Sequence, residues 1–348
     1  MIMMNFTRTE QKDLITIFKE GLNPKVNSFN HSQPVEVLSR ILVEKNGGED
    51  LTSYNLMSFQ PMVFALLAEA IDEILPVALL ERVGDFAEIK TYGRNDEVVF
   101  DIKGMGKRRM WNAITKGARG GVYAYRVLGS KRFHMPTTVW TVGAYVTLEE
   151  LLTGDVTLAD LMNTIADGYV QKMYVEVIKA LRTAKTKAPA ANVASGNGIQ
   201  DAALGELVQI VSQYGSPVIF GFNQVISKIN NLMPVQGMPN ISGLDSEEYR
   251  RQGYVSVYRG TPVVSIPNYL VDETNSSWAL KVNDLFILPG DRKPVKVALK
   301  GDTVFVENQQ PGGAKEIEAH KMMGVGLLLA NDICVYTDSS LDGTIGMY

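Results

Sequence analysis

Chemistry in a chain of this size is first sought in histidines, cysteines and glycine-rich turns. The three histidines, His31, His134 and His320, are far apart, with neither H-x-x-x-H nor H-x-H spacing. That gives no metal pair and no base with a spaced partner. Cys334 is the only cysteine, so neither an intramolecular disulfide nor a cysteine metal site exists. It lies in an apolar strand pattern and reads as a buried thiol rather than a nucleophile. Three glycine pairs begin a G-x-G-x-x-G phosphate turn, and each fails at its third glycine. Gly324-Val325-Gly326 meets Leu329 there, Gly196-Asn197-Gly198 meets Asp201, and Gly104-Met105-Gly106 meets Arg109. There is no G-x-x-x-x-G-K-[ST] and no G-x-S-x-G. Lysines and carboxylates are numerous but form no spacing that demands a reaction. No catalytic, cofactor-binding or metal residue is nominated, and no cofactor is expected.

Charge is more informative. From Lys103 through Arg132 there are nine Lys or Arg and no Asp or Glu. Lys107, Arg108, Arg109, Lys116 and Arg119 lie among Gly104, Gly106, Gly117, Gly120 and Gly121. The net charge of the whole chain is −4, so the remainder carries −13. A glycine-punctuated cationic excursion therefore belongs to an acidic body. It can lie on the acidic surface of a neighbouring copy, neutralise nucleic-acid phosphates, or be a solvated loop with a chance charge run. Only Trp111, Tyr123 and Tyr125 offer stacking surfaces there, and no nucleic-acid-binding module is present.

The elements that carry this excursion follow from periodicity. Thr147 and Glu150 form a capping box for a short helix that Gly154 and Asp155 interrupt. Thr157 then caps a long helix. Its apolar positions include Leu158, Leu161, Ile165, Tyr169, Val177 and Leu181, which are the expected core stripe. At ~1.5 Å per residue this helix is roughly 40 Å long. Before it, residues 1–50 hold two short amphipathic helices, and 61–80 an apolar helix with Pro76 near its end. Strands are expected at 88–92 and 98–102, flanking a polar turn, and at 122–128 and 137–146. After the long helix, 185–198 reads as a linker. A helix near 201–214, a strand at 218–220 and a helix near 223–230 follow. Strands at 254–258 and 263–266 flank Arg259-Gly260-Thr261-Pro262, a hairpin turn. Further strands lie at 284–288, 295–299 and 303–307, and a final pair at 325–329 and 333–336 flanks Asn331-Asp332. The class is α+β.

Hydrophobic content is 45% and charged content 21%, an ordinary globular mix. Arg8, Glu10, Lys12 and Asp13 break any apolar signal core in residues 1–20. The most apolar run, 61–80, contains Glu69, Asp72, Glu73 and Pro76 and spans no bilayer cheaply. A soluble protein made in a reducing cytosol, without membrane contact, is expected.

The order of parts resembles the major capsid proteins of tailed bacteriophages, the Hong-Kong-97-like fold. The resemblance rests on the helical extension, the basic excursion, the long helix, the Gly253–Asn268 segment GYVSVYRGTPVVSIPN and the terminal Gly324–Leu328 run GVGLL. It covers the whole chain by architecture. It implies an N-arm at 1–50, a first part of the P domain at 51–86 and an extended β-hairpin E-loop at 87–146. The P domain with its spine helix would follow at 147–200, an α/β A domain at 201–310, and C-terminal P-domain strands at 311–348. It further implies a non-enzymatic structural protein that forms hexamers and pentamers of an icosahedral shell around double-stranded DNA. The shell belongs to the virion and is assembled in the host cytoplasm. Lys107, Arg108, Arg109, Lys116 and Arg119 would make inter-subunit contacts. Implied partners are copies of itself, portal and head-completion proteins, and packaged DNA held without sequence specificity. Only residues 1–50 precede the first core helix, so a separate scaffolding protein is expected. Some members crosslink an E-loop lysine to a neighbour's asparagine, for which Lys107 or Lys116 with Asn308 are the candidates here. An encapsulin-like nanocompartment shell and a nucleic-acid-binding protein acting through 103–132 are the alternatives.

Overall fold

A computed structural model describes residues 68–69, 71–102, 131–146, 158–232, 251, 253–254, 256–270, 274, 278–309 and 315–341. The described residues are α+β, with helices packed on two main sheets and a small two-stranded ladder.

The longest helix, α2 (Leu158–Arg182), sits between the sheets; a helix at 71–83, α1, precedes it. Ile165, Tyr169, Val170, Met173, Tyr174, Val177, Ile178 and Leu181 of α2 are buried in one core with Ile71, Leu75, Leu79 and Val83 of α1. Leu158 and Leu161 are backbone positions of the same helix. Lys179 and Arg182 close its last turn, where cations suit the helix dipole.

The first sheet has the order β1-β10-β11-β4: β1 (Ala87–Tyr92), β10 (Val295–Gln309), β11 (Lys315–Leu327) and β4 (Thr138–Val146). β1 runs parallel to β10, and the other pairs are antiparallel. Val295, Val297, Leu299, Ala319 and Met323 face α1 and α2. Trp140 and Val142 of β4 pack against the same core. The register of β10 shifts between Lys300 and Val304. At this bulge Asp72 of α1 accepts from the Thr303 N–H at 2.9 Å and from Lys321 Nζ at 2.6 Å. A lysine in a core-facing strand position is thus neutralised in place.

The second sheet has the order β5-β12-β9-β6-β8-β7. Its strands are β5 (Val193–Gly196), β6 (Pro217–Phe222), β7 (Val257–Tyr258), β8 (Thr261–Ile266), β9 (Asp284–Pro289) and β12 (Cys334–Asp338). Phe220, Phe222, Phe286, Leu288 and Val335 join the α2 core. On the opposite face Ile219, Leu285, Ile287, Cys334 and Tyr336 pack with Leu204, Leu207 and Val211 of α3 (Asp201–Ser212). α2 ties the two sheets together. Tyr169 donates its hydroxyl to Ala319 O of the first sheet at 2.5 Å. Tyr174 donates to Pro267 O, just past β8, at 2.5 Å. At its end Arg182 Nε and Lys185 Nζ reach the buried Asp284 carboxylate at 2.8 and 2.6 Å.

Several sequence expectations are corrected. The strands at 88–92 and 98–102 do not pair with each other. The Gly93–Asp96 turn, closed by Gly93 N–H to Asp96 Oδ2 at 2.9 Å, carries the chain off the sheet, and β1 bonds to β10 instead. Residues 295–307 are one bulged strand rather than two. The expected linker 185–198 contains β5, which β12 recruits in parallel. The pair at 325–329 and 333–336 is not a hairpin: Leu329 takes a left-handed conformation (φ 60°), and the chain crosses from the first sheet to the second.

Candidate assembly interface

The two ends of the cationic run are joined by a two-stranded stem. β2 (Val99–Ile102) pairs antiparallel with β3 (Lys131–His134), with Ile102 opposite Lys131. The basic run therefore starts and returns at the open end of this ladder. Lys107, Arg108, Arg109, Lys116 and Arg119 themselves lie outside the described residues, as do the strand expected at 122–128, the helix expected at 147–153 and residues 1–50.

The stem sits on the face of the first sheet opposite α1 and α2. Val98, Phe100 and Met135 are buried against Ala298 and Leu328. Tyr92 meets Phe100 edge to face at 6.0 Å between centroids. Lys90 Nζ lies 5.0 Å from the Phe100 ring centroid. The Met135 N–H bonds Val98 O at 3.0 Å. Gly324 and Gly326 make this fit possible. A Cβ on Gly324 would stand 2.7 Å from Pro136 O, and one on Gly326 2.9 Å from Met135 Cε. The incomplete phosphate-turn pattern at Gly324-Val325-Gly326 is thus a flat seat for the stem. Gly324→Val is expected to overpack this seat by about 1–3 kcal/mol. Gly326→Ala, which meets only a flexible methionine end, is expected to cost less. Urea denaturation of the two variants checks the order; equal midpoints for Gly324→Val and the parent protein would contradict it.

The other chemical candidates are separated. Among the described residues no three metal-type ligands come together. His134 Nδ1 lies 2.8 Å from Glu97 Oε1 beside the stem. His320 Nδ1 lies 2.8 Å from Thr141 Oγ1 on the first sheet, and its Nε2 is 3.4 Å from Glu318. His31 lies outside the described residues. Cys334 is fully buried, and burial pushes its thiol up to about 12.

Sequence reasoning missed the ion pairs that lock the second sheet. Burial alone would raise the Asp338 carboxyl. The Ser340 hydroxyl, Lys228 and the N–H groups of Ser340 and Gly198 outweigh it and hold the carboxyl at about 2. Arg259, with φ 49°, and Gly260, with φ 79°, make the tight turn between β7 and β8. The Arg259 guanidinium returns to Asp201 at the start of α3, and Tyr258 donates its hydroxyl to the same carboxylate at 2.6 Å. Burial, then this hydrogen bond, raises the Tyr258 phenol above its ordinary range. Only a turn was visible in the sequence, over Arg259-Gly260-Thr261-Pro262, of which Thr261 and Pro262 already belong to β8; its carboxylate anchor is 58 residues away.

Comparison with known proteins follows the same line. A chain of the solved structure described as "Microbacterium phage Oxtober96" is similar, with 12% identity, 72% of this chain and 88% of that one covered, and a TM-score of 0.48. A subunit of the "Satellite phage P4 procapsid including size determination (Sid) protein" shows 12% identity, 78% and 90% coverage and a TM-score of 0.48. A "virus-like particle from Pyrococcus furiosus" shows 14% identity, 77% and 98% coverage and a TM-score of 0.43. No curated protein sequence matches. The family described as "SPbeta prophage-derived putative capsid protein YonB" matches residues 35–337. With all but the two ends of its 348 residues inside that match, the chain belongs to this family of phage capsid proteins.

Proposed function

We propose that this protein is the repeating subunit of an icosahedral phage head, assembling as hexamers and pentamers around double-stranded DNA. The single observation that carries the reading is the family match over residues 35–337. The structure supplies a physical reason for assembly. The stretch 103–132 carries nine cations and no acid, the rest of the chain carries −13, and the two ends of the stretch are joined by the β2–β3 ladder. An opposite-charge surface of that size is met most often on another copy of the same chain. The role is structural and not enzymatic. The division into N-arm (1–50), P domain (51–86, 147–200 and 311–348), E-loop (87–146) and A domain (201–310) is part of the same reading. So are a separate scaffolding protein, portal and head-completion proteins, and assembly in the host cytoplasm. Purified protein supplied with its scaffolding protein is expected to form closed particles or capsomers by light scattering and negative-stain microscopy. A stable monomer at every concentration would overturn the reading. Limited proteolysis gives a second measurement. Cuts are expected first within 104–121, where glycines and charges have little to bury, and are expected to be suppressed in the particles. Equal cutting of free and assembled protein would contradict the role given to the arm.

A further inference from the structure

Phe222 and Ile266 end two neighbouring parallel strands, β6 and β8. Beyond these carboxyl ends lies a cavity of about 330 Å³. That falls within the ~300–1,000 Å³ of small-molecule sites, which favour strand ends of this kind. Its floor is apolar: Phe222, Ile266 and Val282 are buried and belong to the main core. The half-buried Trp278 forms a wall, held by a bridge to Leu270 and by the bond from the Ala279 N–H to Tyr269 O at 2.8 Å. Asn223 and Gln224, which open the short helix Asn223–Ile226, are exposed and stand at the mouth. Asn268 also lines the cavity, but its amide is spent inside the fold. It donates to Leu280 O at 2.8 Å and accepts from the Tyr269 N–H at 3.0 Å. No charged side chain lines the cavity.

We propose that this cavity binds a small uncharged aromatic molecule that carries an amide or hydroxyl at one end. The ring enters over the apolar floor beside Trp278, and the polar end stays with Asn223 and Gln224. Three features of the lining select this class. With no opposite charge to meet it, an ionised ligand loses its hydration without compensation. A sugar carries hydroxyls around its whole ring, and those turned to Phe222, Ile266 and Val282 go unpaired. A flat ring instead gains contact with the indole, and an amide can exchange two hydrogen bonds with a side-chain amide. The bound molecule braces the joint between the second sheet and α2, because Pro267 in the cavity wall already receives the Tyr174 hydroxyl.

Benzamide is the probe, with benzoate and glucose as controls, and ligand-observed NMR on the full chain is the measurement. Benzamide is expected to bind with a Kd on the order of 1 mM, as suits so small a ligand. Benzoate and glucose are expected to bind at least about tenfold more weakly. At roughly ten times its Kd, benzamide is expected to raise Tm by about 2 °C. Asn223→Ala/Gln224→Ala removes only exposed side chains, so the chain folds, and it is expected to weaken benzamide about tenfold. Trp278→Leu is expected to weaken it by a similar factor. Absence of benzamide binding at ~10 mM overturns the inference. So does equal binding of benzoate, which marks non-specific contact, or tighter binding of glucose, which makes the cavity a sugar site. Binding that survives Asn223→Ala/Gln224→Ala unchanged lies elsewhere and overturns it too. That variant decides alone if Trp278→Leu does not fold. Each outcome is independent of the assembly reading, which particle formation tests separately.

Discussion

Ile165→Asp is expected to leave no soluble, folded subunit. Ile165 is 1% exposed and sits where α2 packs in the main core. The substitution removes about 1.5–3 kcal/mol of side-chain burial. It also places a carboxyl among apolar neighbours, where an unpaired polar group costs roughly 2–7 kcal/mol even when neutral. Native stabilities are only about 5–15 kcal/mol in total. The buried carboxyl has its pKa raised in the folded state. The charged form therefore penalises folding above the unfolded value, and the penalty shrinks as pH falls through the folded value. Ile165→Val is the control, with an expected cost of about 0.5–1.5 kcal/mol. Soluble yield and circular dichroism decide. A normal yield of folded Ile165→Asp would show that this stripe faces no core.

Arg108→Glu/Arg109→Glu is expected to have the opposite profile: folding unaffected and assembly abolished or misdirected. Both arginines lie in a stretch without a single acid, so neither has an acidic neighbour in sequence to pair with. The body is strongly acidic, and reversal replaces attraction by repulsion at every repeated contact. A DNA-binding arm predicts a different result: intact particles with weaker and less salt-dependent DNA binding. Circular dichroism, electron microscopy and a salt titration on this one variant separate the two. Normal particles with only DNA binding reduced would show that the arm does not join subunits.

Much of this fold was legible because local signals agreed with the global structure. The long helix was visible as sustained 3.6-residue spacing, and β6 and β9 as short apolar runs. A turn was visible in the run Arg259-Gly260-Thr261-Pro262; Gly260 suits its left-handed position, whereas Arg259 is left-handed without the Asn, Asp or Gly that such a position favours. The first half of β11 was not. Its inward residues run Ala319, Lys321, Met323, and a lysine in the middle breaks the alternation that marks a strand. Lys321 is tolerated there only because Asp72, 249 residues away, receives it. β5 was hidden for a related reason: Val193–Gly196 has little apolar character, and it is a strand because β12 lies beside it. The glycines at 324 and 326 were conspicuous, but as a phosphate turn. Their use as a seat depends on Met135 and Pro136, which the sequence places nearly two hundred residues earlier.

The parallel pairing of β1 with β10 also sets a clock on the newborn chain. Glu88 and Lys296, which meet across that pair, are 208 residues apart. At roughly 5–20 residues per second of synthesis, β1 waits about 10–40 s for its neighbour to leave the ribosome. Until then α1 and half of α2 have no sheet to rest on, and their apolar faces stay wet. A nascent chain that ends before Val295 never acquires that sheet. Prematurely terminated products are therefore unfit building blocks from the start, and a particle built of this protein is protected from them without any separate act of inspection.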